Sequence, residues 1–318
     1  MVVIDLPELT ALQKSASKFR ELVNEPRLHY SLFSQPKKFN LVCSAMDVID
    51  DILFALHSYI QSDHQNQGLA YLEIFGVLQS LTVQQDAVSK LYKLVRGTPV
   101  DLEKEFPNLR AVRETRIRVA GHPVGGQGSS HFLVRYTVSK YGFELWKFDQ
   151  TGNHTTETVS LPELIKKNSQ ALVVAIEKLI GHIEAEKEDH RAKYRGKSLA
   201  DNFQNLAYFV EKIFEHGRTK NPMASAGIAS IRDILKSFQA DLEVRSDHYR
   251  SADFMSHRIP RLEYAFEKFE SYMKGDVTQN ENDAYVLATF IETEMNFFRD
   301  IAREIDAEYQ SSMPGATL

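Results

Sequence analysis

The chain is almost without cysteine: Cys43 is the one thiol in 318 residues, so no intramolecular disulfide can form. Such cysteine usage points to a reducing, cytoplasmic compartment. Long apolar runs are missing as well. No stretch approaches the roughly 18 consecutive apolar residues that a membrane-crossing helix needs. The N-terminus, MVVIDLPEL, carries Asp5 and lacks a basic flank, so no signal peptide is read there. Metal-ligand spacing is also lacking. His57 and His64 stand near a helix end with no third ligand in register, and His182, Glu186 and His190 share one helical face with nothing to complete a set. All are read as surface groups, and neither a metal nor a cofactor is expected. The glycine-rich VGGQGSS at 124–130 does not end in the Lys-Ser/Thr of a phosphate-binding loop. Positive charge is short too. The net charge is -5, and the first 196 residues carry +1 while the remaining 122 carry -6. That balance argues against bulk capture of a polyanion, so any such contact must be local.

What the sequence does have is apolar periodicity, and the expected fold class is mainly α. With 43% hydrophobic and 25% charged residues, the chain has the composition of a globular protein long enough for two domains. Leu9, Leu12, Ala16, Phe19 and Val23 stripe a first helix that ends near Asn24. Val42, Met46, Ile49, Leu53 and Leu56 stripe a second over 38–61, and Leu72, Phe75, Leu78, Val88 and Leu91 a third over 68–95. A fourth, about 13 residues long, starts near Asn108 behind Pro107. The period then changes to two. Phe132, Val134, Tyr136 and Val138 alternate with His131, Leu133, Arg135 and Thr137, a turn comes next at KYG, and GFELWKFD and HTTETVSL read as further extended runs. A small antiparallel β-hairpin or meander at about 131–160 is therefore inserted. Tyr136, Trp146 and Phe148 have rings able to stack on bases, but rings in a small sheet ordinarily cover neighbouring helices, and that packing role is the expectation here. A long helix runs from Pro162 to about Arg191, and Gly196 marks the expected domain boundary, with the first domain spanning 1–195. Ser198 and Asp201 resemble a capping box that opens a second, all-α bundle of four helices over 198–309, with a disordered tail over 310–318.

One stretch combines charge, an apolar stripe and a helix end: RETRIRVAGHP, from Arg113 to Pro123. With Arg110 at zero, Val119, Val112, Leu109 and Ala120 fall at about 180°, 200°, 260° and 280° on a helical wheel. Arg116 falls at about 240°, inside that arc, and is expected to be partly buried and met by an anion. Glu114, Thr115 and Arg118 face away, and Arg113 lies at the margin. Gly121 ends the helix, and His122 comes next ahead of Pro123, within reach of Arg116. Two interpretations stay open on spacing alone. Arg116 pairs with a core carboxylate while His122 favours the negative helix C-terminus, or arginine holds a phosphate and histidine moves a proton, which suits RNA cleavage.

The stretches YLEIFGVLQSLTVQQDAVSKL, Tyr71 to Leu91, and LRAVRETRIRVAGHP, Leu109 to Pro123, resemble the HEPN superfamily of helical domains. In that family an arginine stands four to six residues ahead of a histidine, a spacing that Arg116 and His122 match. The polar residue usual after the arginine is Ile117 in this chain. The resemblance covers about residues 1–195 and does not reach the C-terminal bundle. It implies a HEPN-like helical bundle and a metal-independent endoribonuclease of a toxin, defence or RNA-processing kind. His122 would be its general acid or base and Arg116 the phosphate clamp, with Arg110, Arg113 and Arg118 as substrate-binding residues. It further implies a homodimer that acts on RNA. The second class of function carried by the same scaffold is a non-catalytic dimerisation, interaction or nucleotide-binding protein. The C-terminal bundle is the surface left for a protein partner.

Overall fold

A computed structural model describes residues 6–25, 33, 35–62, 66–121, 130–149, 151–245, 249–275 and 280–310. His122, the loop at 124–129, His64 and the tail beyond Gln310 lie outside these residues. The described chain is helical apart from one three-stranded sheet, and its contacts divide it into two units, Met1–Ala185 and Glu186–Leu318. The division falls inside a long helix, ahead of the Gly196 boundary expected from the sequence.

The first unit contains α1 (Pro7–Val23), α2 (Pro36–Gln61), α3 (Gln67–Arg96), the short α4 (Leu102–Glu105) and α5 (Pro107–Arg116). A π-turn at Ile117–Gly121 extends α5, and α6 (Leu161–Tyr194) closes this unit and continues into the second. Proline opens α1, α2 and α5, where its missing N–H removes no intrahelical bond. Leu9 and Phe19 of α1, Ile49 and Leu56 of α2, Ile74 and Leu91 of α3, Leu109 and Val112 of α5, and Ile165 and Ile176 of α6 form one apolar core. Each such side chain contributes about 1.5–3 kcal/mol by leaving water.

Through that core runs a chain of buried amides. Gln84, Gln85 and Asn168 are almost fully buried. The Gln85 Nε2 donates to Asn168 Oδ1 at 2.8 Å and to the Leu109 carbonyl at 3.3 Å, and Asn168 Nδ2 donates to Gln84 Oε1 at 3.0 Å. Gln85 Oε1 accepts from Arg113 Nε at 2.8 Å. One glutamine on α3 therefore ties down both α5 and α6.

The sheet comprises β1 (Ser130–Leu133), β2 (Gly142–Phe148) and β3 (His154–Ser160), antiparallel in the order β1-β2-β3. The strand expected through Val138 stops at Leu133. Beyond it, Thr137 Oγ1 donates to the Val134 carbonyl and accepts from the Glu144 N–H, so a side chain takes the ladder partner and the backbone turns as a 3-10 helix at Arg135–Thr137. Gly142 is required where β2 begins. Its φ is +152°, and a Cβ there would lie 2.0 Å from the Val159 carbonyl oxygen. Phe143, Leu145 and Val159 face the core, whereas Phe132, Trp146, Phe148 and His154 stand on the opposite side.

In the second unit a 3-10 turn at Ala200–Phe203 precedes α7 (Leu206–Gly217), α8 (Pro222–Val244), α9 (Tyr249–Met273) and α10 (Glu281–Gln310). Phe203, Phe238, Phe266, Phe298 and Ile305 lie in its core. The Ser198 hydroxyl donates to Asp306 at 2.7 Å instead of capping its own turn, and Leu199 and Ala200 donate backbone N–H groups to the same carboxylate. Arg245 completes this buried cluster with a 3.2 Å ion pair to Asp306. α9 passes through Pro260, which is exposed, so its ring disturbs only the solvent side of the helix.

The amide chain generates a test. Asn168→Ala removes the acceptor of Gln85 and the donor to Gln84 together, leaving buried amide groups unpaired at about 1–3 kcal/mol each. The first unit should lose about 3 kcal/mol in urea unfolding, monitored through the fluorescence of Trp146, the single tryptophan. A loss comparable to that of an exposed-site control such as Gln170→Ala would contradict the assignment.

Candidate functional site

α5 is short because two signals bound it. Pro107 fixes its start, and after Arg116 the backbone widens into the π-turn. Leu109, Val112 and Val119 are buried, as the helical wheel required. Thr115 and Ala120 are exchanged relative to that reading. Thr115 is buried, its hydroxyl donating to the Ala111 carbonyl at 2.9 Å, and Ala120 is exposed. A π-turn inserts an extra residue per turn, which rotates the later residues of the segment out of the α-helical phase.

The four arginines of this segment have different surroundings. Arg110 is bonded to Glu114 at 2.8 Å on the exposed face. Arg113 is held by Gln85, by Asp86 and by Glu103, the last at 3.1 Å, and so faces α3 and α4. Arg118 pairs with Glu157 of β3 and also donates to the Glu114 carbonyl and the Thr115 hydroxyl. Arg116 is half-buried, and its Nε and Nη2 donate to Gln79 Oε1 of α3 at 3.2 and 3.1 Å. The expected anionic partner is thus a neutral amide. Among the described residues Arg116 alone of the four has no carboxylate, and three of its five N–H groups remain unused. Gly121 ends the π-turn beside it, where an added Cβ would lie 3.4 Å from Arg116 Nη1. His122 is joined to Gly121 by one peptide bond.

The arginines are not brought to one place. Arg110 and Arg118 line a cleft of about 1020 Å³, whereas Arg113 lines a separate cavity of about 240 Å³ against α3 and α4. The larger cleft runs between α5 with its π-turn, the sheet and the first turns of α6, and it includes Ile117, which is 48% exposed. It also holds His131, a residue that sequence reasoning missed. His131 is 8% exposed, and among the described residues neither ring nitrogen has a hydrogen-bond partner. Burial, aided by the positive charges of Arg118 and Lys147 and opposed by Glu157, holds its imidazole below the ordinary value. The available signal was alternation. His131 shares its strand face with Leu133, which packs against the core.

The outer face of the sheet carries the aromatic residues expected to cover helices. Phe132 is half-exposed, and its ring centroid is 5.6 Å from that of Phe148. Phe148 and Trp146 each lie 5.4 Å from the His154 ring. Tyr136, in the 3-10 turn, is 80% exposed. Phe143, Leu145 and Val159 take the core side instead, which leaves Trp146 and Phe148 half-buried on the outer face.

Among the described residues no group of three His, Cys, Asp or Glu is disposed to hold a metal ion, and no helix is long and apolar enough to cross a membrane. No family model, curated protein or solved structure matches this chain.

His131 makes stability depend on pH. Its folded-state pKa is lowered, so below about pH 6.5 the unfolded chain binds the proton more readily. The stabilisation is fully present above that pH and is lost as pH falls through it toward the folded value. Urea midpoints of the first unit should therefore decline between pH 7.5 and 5.5 more steeply in the wild type than in His131→Gln. Parallel profiles would contradict the burial of a neutral imidazole.

Proposed function

We propose that the first unit is a HEPN-like, metal-independent endoribonuclease acting on single-stranded RNA. The observation that carries this reading is Arg116, a half-buried guanidinium oriented by a neutral glutamine and left without a carboxylate among the described residues. A structural arginine in that setting is normally neutralised, as Arg110, Arg113 and Arg118 are. Arg116 instead keeps three donors and its full charge for a phosphate, in the planar form that suits a phosphodiester. The aromatic outer face of the sheet supports a single-stranded substrate, because unstacked bases pack on such rings whatever their sequence.

In the reaction, the ribose 2′-oxygen attacks the adjacent phosphorus and the bond to the 5′-oxygen breaks. His122 takes the 2′-hydroxyl proton, or returns a proton to the departing 5′-oxygen, and Arg116 stabilises the charge on the non-bridging oxygens. The products are a 2′,3′-cyclic phosphate, or the phosphate derived from it, and a 5′-hydroxyl end. The enzyme acts as a homodimer that joins two such motifs. Supporting this, α3 leaves Leu72 and Phe75 exposed on the face that continues to Gln79.

Purified full-length protein is incubated with mixed single-stranded RNAs in EDTA, beside folded Arg116→Ala and His122→Ala variants, with the mass in solution measured by light scattering. We expect cyclic-phosphate products from a dimeric wild type and a loss of about 10²–10⁴ in rate for His122→Ala, with Arg116→Ala similarly impaired. Equal cleavage by all three proteins, or none by the wild type across many RNAs, would overturn the assignment.

A further inference from the structure

The two edges of the sheet differ. β1 is four residues long, whereas β3 runs for seven, and all of 154–158 is exposed. Proteins ordinarily guard a long edge with lysine, proline or a bulge, because its outer row of N–H and C=O groups pairs readily with another strand. The β3 sequence HTTETVS contains neither lysine nor proline, and its register with β2 is unbroken from His154 to Ser160.

The outer row can be assigned residue by residue. In an antiparallel pair, positions bonded to the neighbouring strand alternate with positions whose backbone groups point away from it. At the two ends of the β2–β3 ladder, the Leu161 N–H donates to the Tyr141 carbonyl and the Asp149 N–H to the Asn153 carbonyl, both at 3.0 Å. Odd-numbered positions of β3 therefore bond to β2, and His154, Thr156 and Thr158 direct their N–H and C=O groups outward. Among the described residues nothing meets these groups. The edge is also preformed. Asp149 Oδ1 accepts from the N–H groups of Thr151 and Asn153 at 2.9 Å each, which fixes the turn ahead of β3, and the Leu161 bond fixes its other end. A strand pinned at both ends loses little freedom when it pairs.

What lies beside the edge narrows the partner. Thr158 and Ser160 border the cleft of about 1020 Å³, whose other walls include α5 and the first turns of α6. A second copy paired across β3 would bring its own α5 and α6 into that space, whereas a single strand enters it alone. Lys147 and Lys167 line the cleft without a carboxylate partner among the described residues, against one carboxylate in that state, Glu163. We propose that the outer edge of β3 takes an extended peptide of a partner protein as a fourth strand, with acidic side chains on the side that faces the cleft. Backbone bonds to His154, Thr156 and Thr158 supply the pairing, and Lys147 and Lys167 select the charge. The edge is separate from Arg116, which does not line the cleft, so the assignment holds whether or not the protein cleaves RNA.

The test titrates the full chain at fixed salt with dye-labelled, end-blocked peptides that match the seven residues of β3 in length, one alternating valine with glutamate and one alternating valine with lysine. Binding is read from the anisotropy of the dye and from the fluorescence of Trp146, which stands directly opposite Thr156. We expect saturable binding of the glutamate peptide and about tenfold weaker binding of the lysine peptide, the effect of two exposed charge pairs. Thr156→Pro removes an N–H that the sheet itself does not use, so it should abolish binding while the urea midpoint stays at the wild-type value. Lys147→Glu/Lys167→Glu leaves the edge intact and should reverse the preference toward the lysine peptide. No saturable binding, wild-type affinity in Thr156→Pro, or an unreversed preference in the double lysine variant would each overturn the proposal. A mass in solution that falls in Thr156→Pro without any peptide would assign the edge to a second copy of the chain and overturn it as well.

Discussion

The N-terminal unit depends on a chain of three buried amides. Gln84, Gln85 and Asn168 leave water almost completely, so each of their donors and acceptors must find a partner inside the protein or bear the desolvation cost. Hydrogen bonds are directional where apolar contacts are not. The bonds from Gln85 to Asn168, to the Leu109 carbonyl and from Arg113 therefore fix the rotation of α5 about its own axis, not merely its distance from α3 and α6. Once Arg113 is committed to Gln85, Arg116 is turned toward Gln79 on the same helix α3, less than two turns before Gln84. The orientation of the motif is thus set by polar groups buried for packing specificity.

Charge is distributed around this frame unevenly. Three arginines of the motif segment are closed into ion pairs, Arg110 within α5 itself and Arg113 and Arg118 holding the segment to α3, to α4 and to β3. Such partly exposed pairs contribute little stability individually. Their consequence is geometric: they leave Arg116 as the residue with an uncommitted charge. The sheet repeats the division of labour on its two faces. One carries Phe143, Leu145 and Val159 into the core and, at its far end, His131 and Lys147 into the cleft. The other carries Phe132 and His154, both exposed, and Trp146 and Phe148, both half-buried.

The helices were largely legible in the sequence because their apolar stripes are long; α2 and α3 begin and end within two residues of expectation, and α1 ends within one. What escaped was whatever a neighbour decides. The π-turn after Arg116 has no composition of its own, so the phase of Ala120 could not be read from a regular wheel. The polarity of the sheet was hidden because both faces of β1 and β2 carry apolar residues, Leu133, Phe143 and Leu145 on one and Phe132, Trp146 and Phe148 on the other, and either set could have faced inward. That same ambiguity concealed His131. The opening of the second unit looked like a local capping box, but Asp306, 108 residues away from Ser198, takes that hydroxyl. The neutral partner of Arg116 was equally out of reach, since Gln79 lies 37 residues earlier on another helix.

The uncommitted charge on Arg116 is tested most directly at Gln79. Replacing it by glutamate keeps the length of the side chain and sets a carboxylate against the Nε and Nη2 that Gln79 now holds, converting a neutral contact into a charge-assisted one. Affinity is measured for a single-stranded RNA made uncleavable by 2′-O-methylation, at fixed salt, for wild type, Gln79→Glu and Arg116→Ala. Gln79→Glu should weaken binding by about tenfold, equivalent to about 1.4 kcal/mol, and approach Arg116→Ala, with the fold unchanged by circular dichroism. Wild-type affinity in Gln79→Glu would mean that the charge of Arg116 does not meet the RNA backbone.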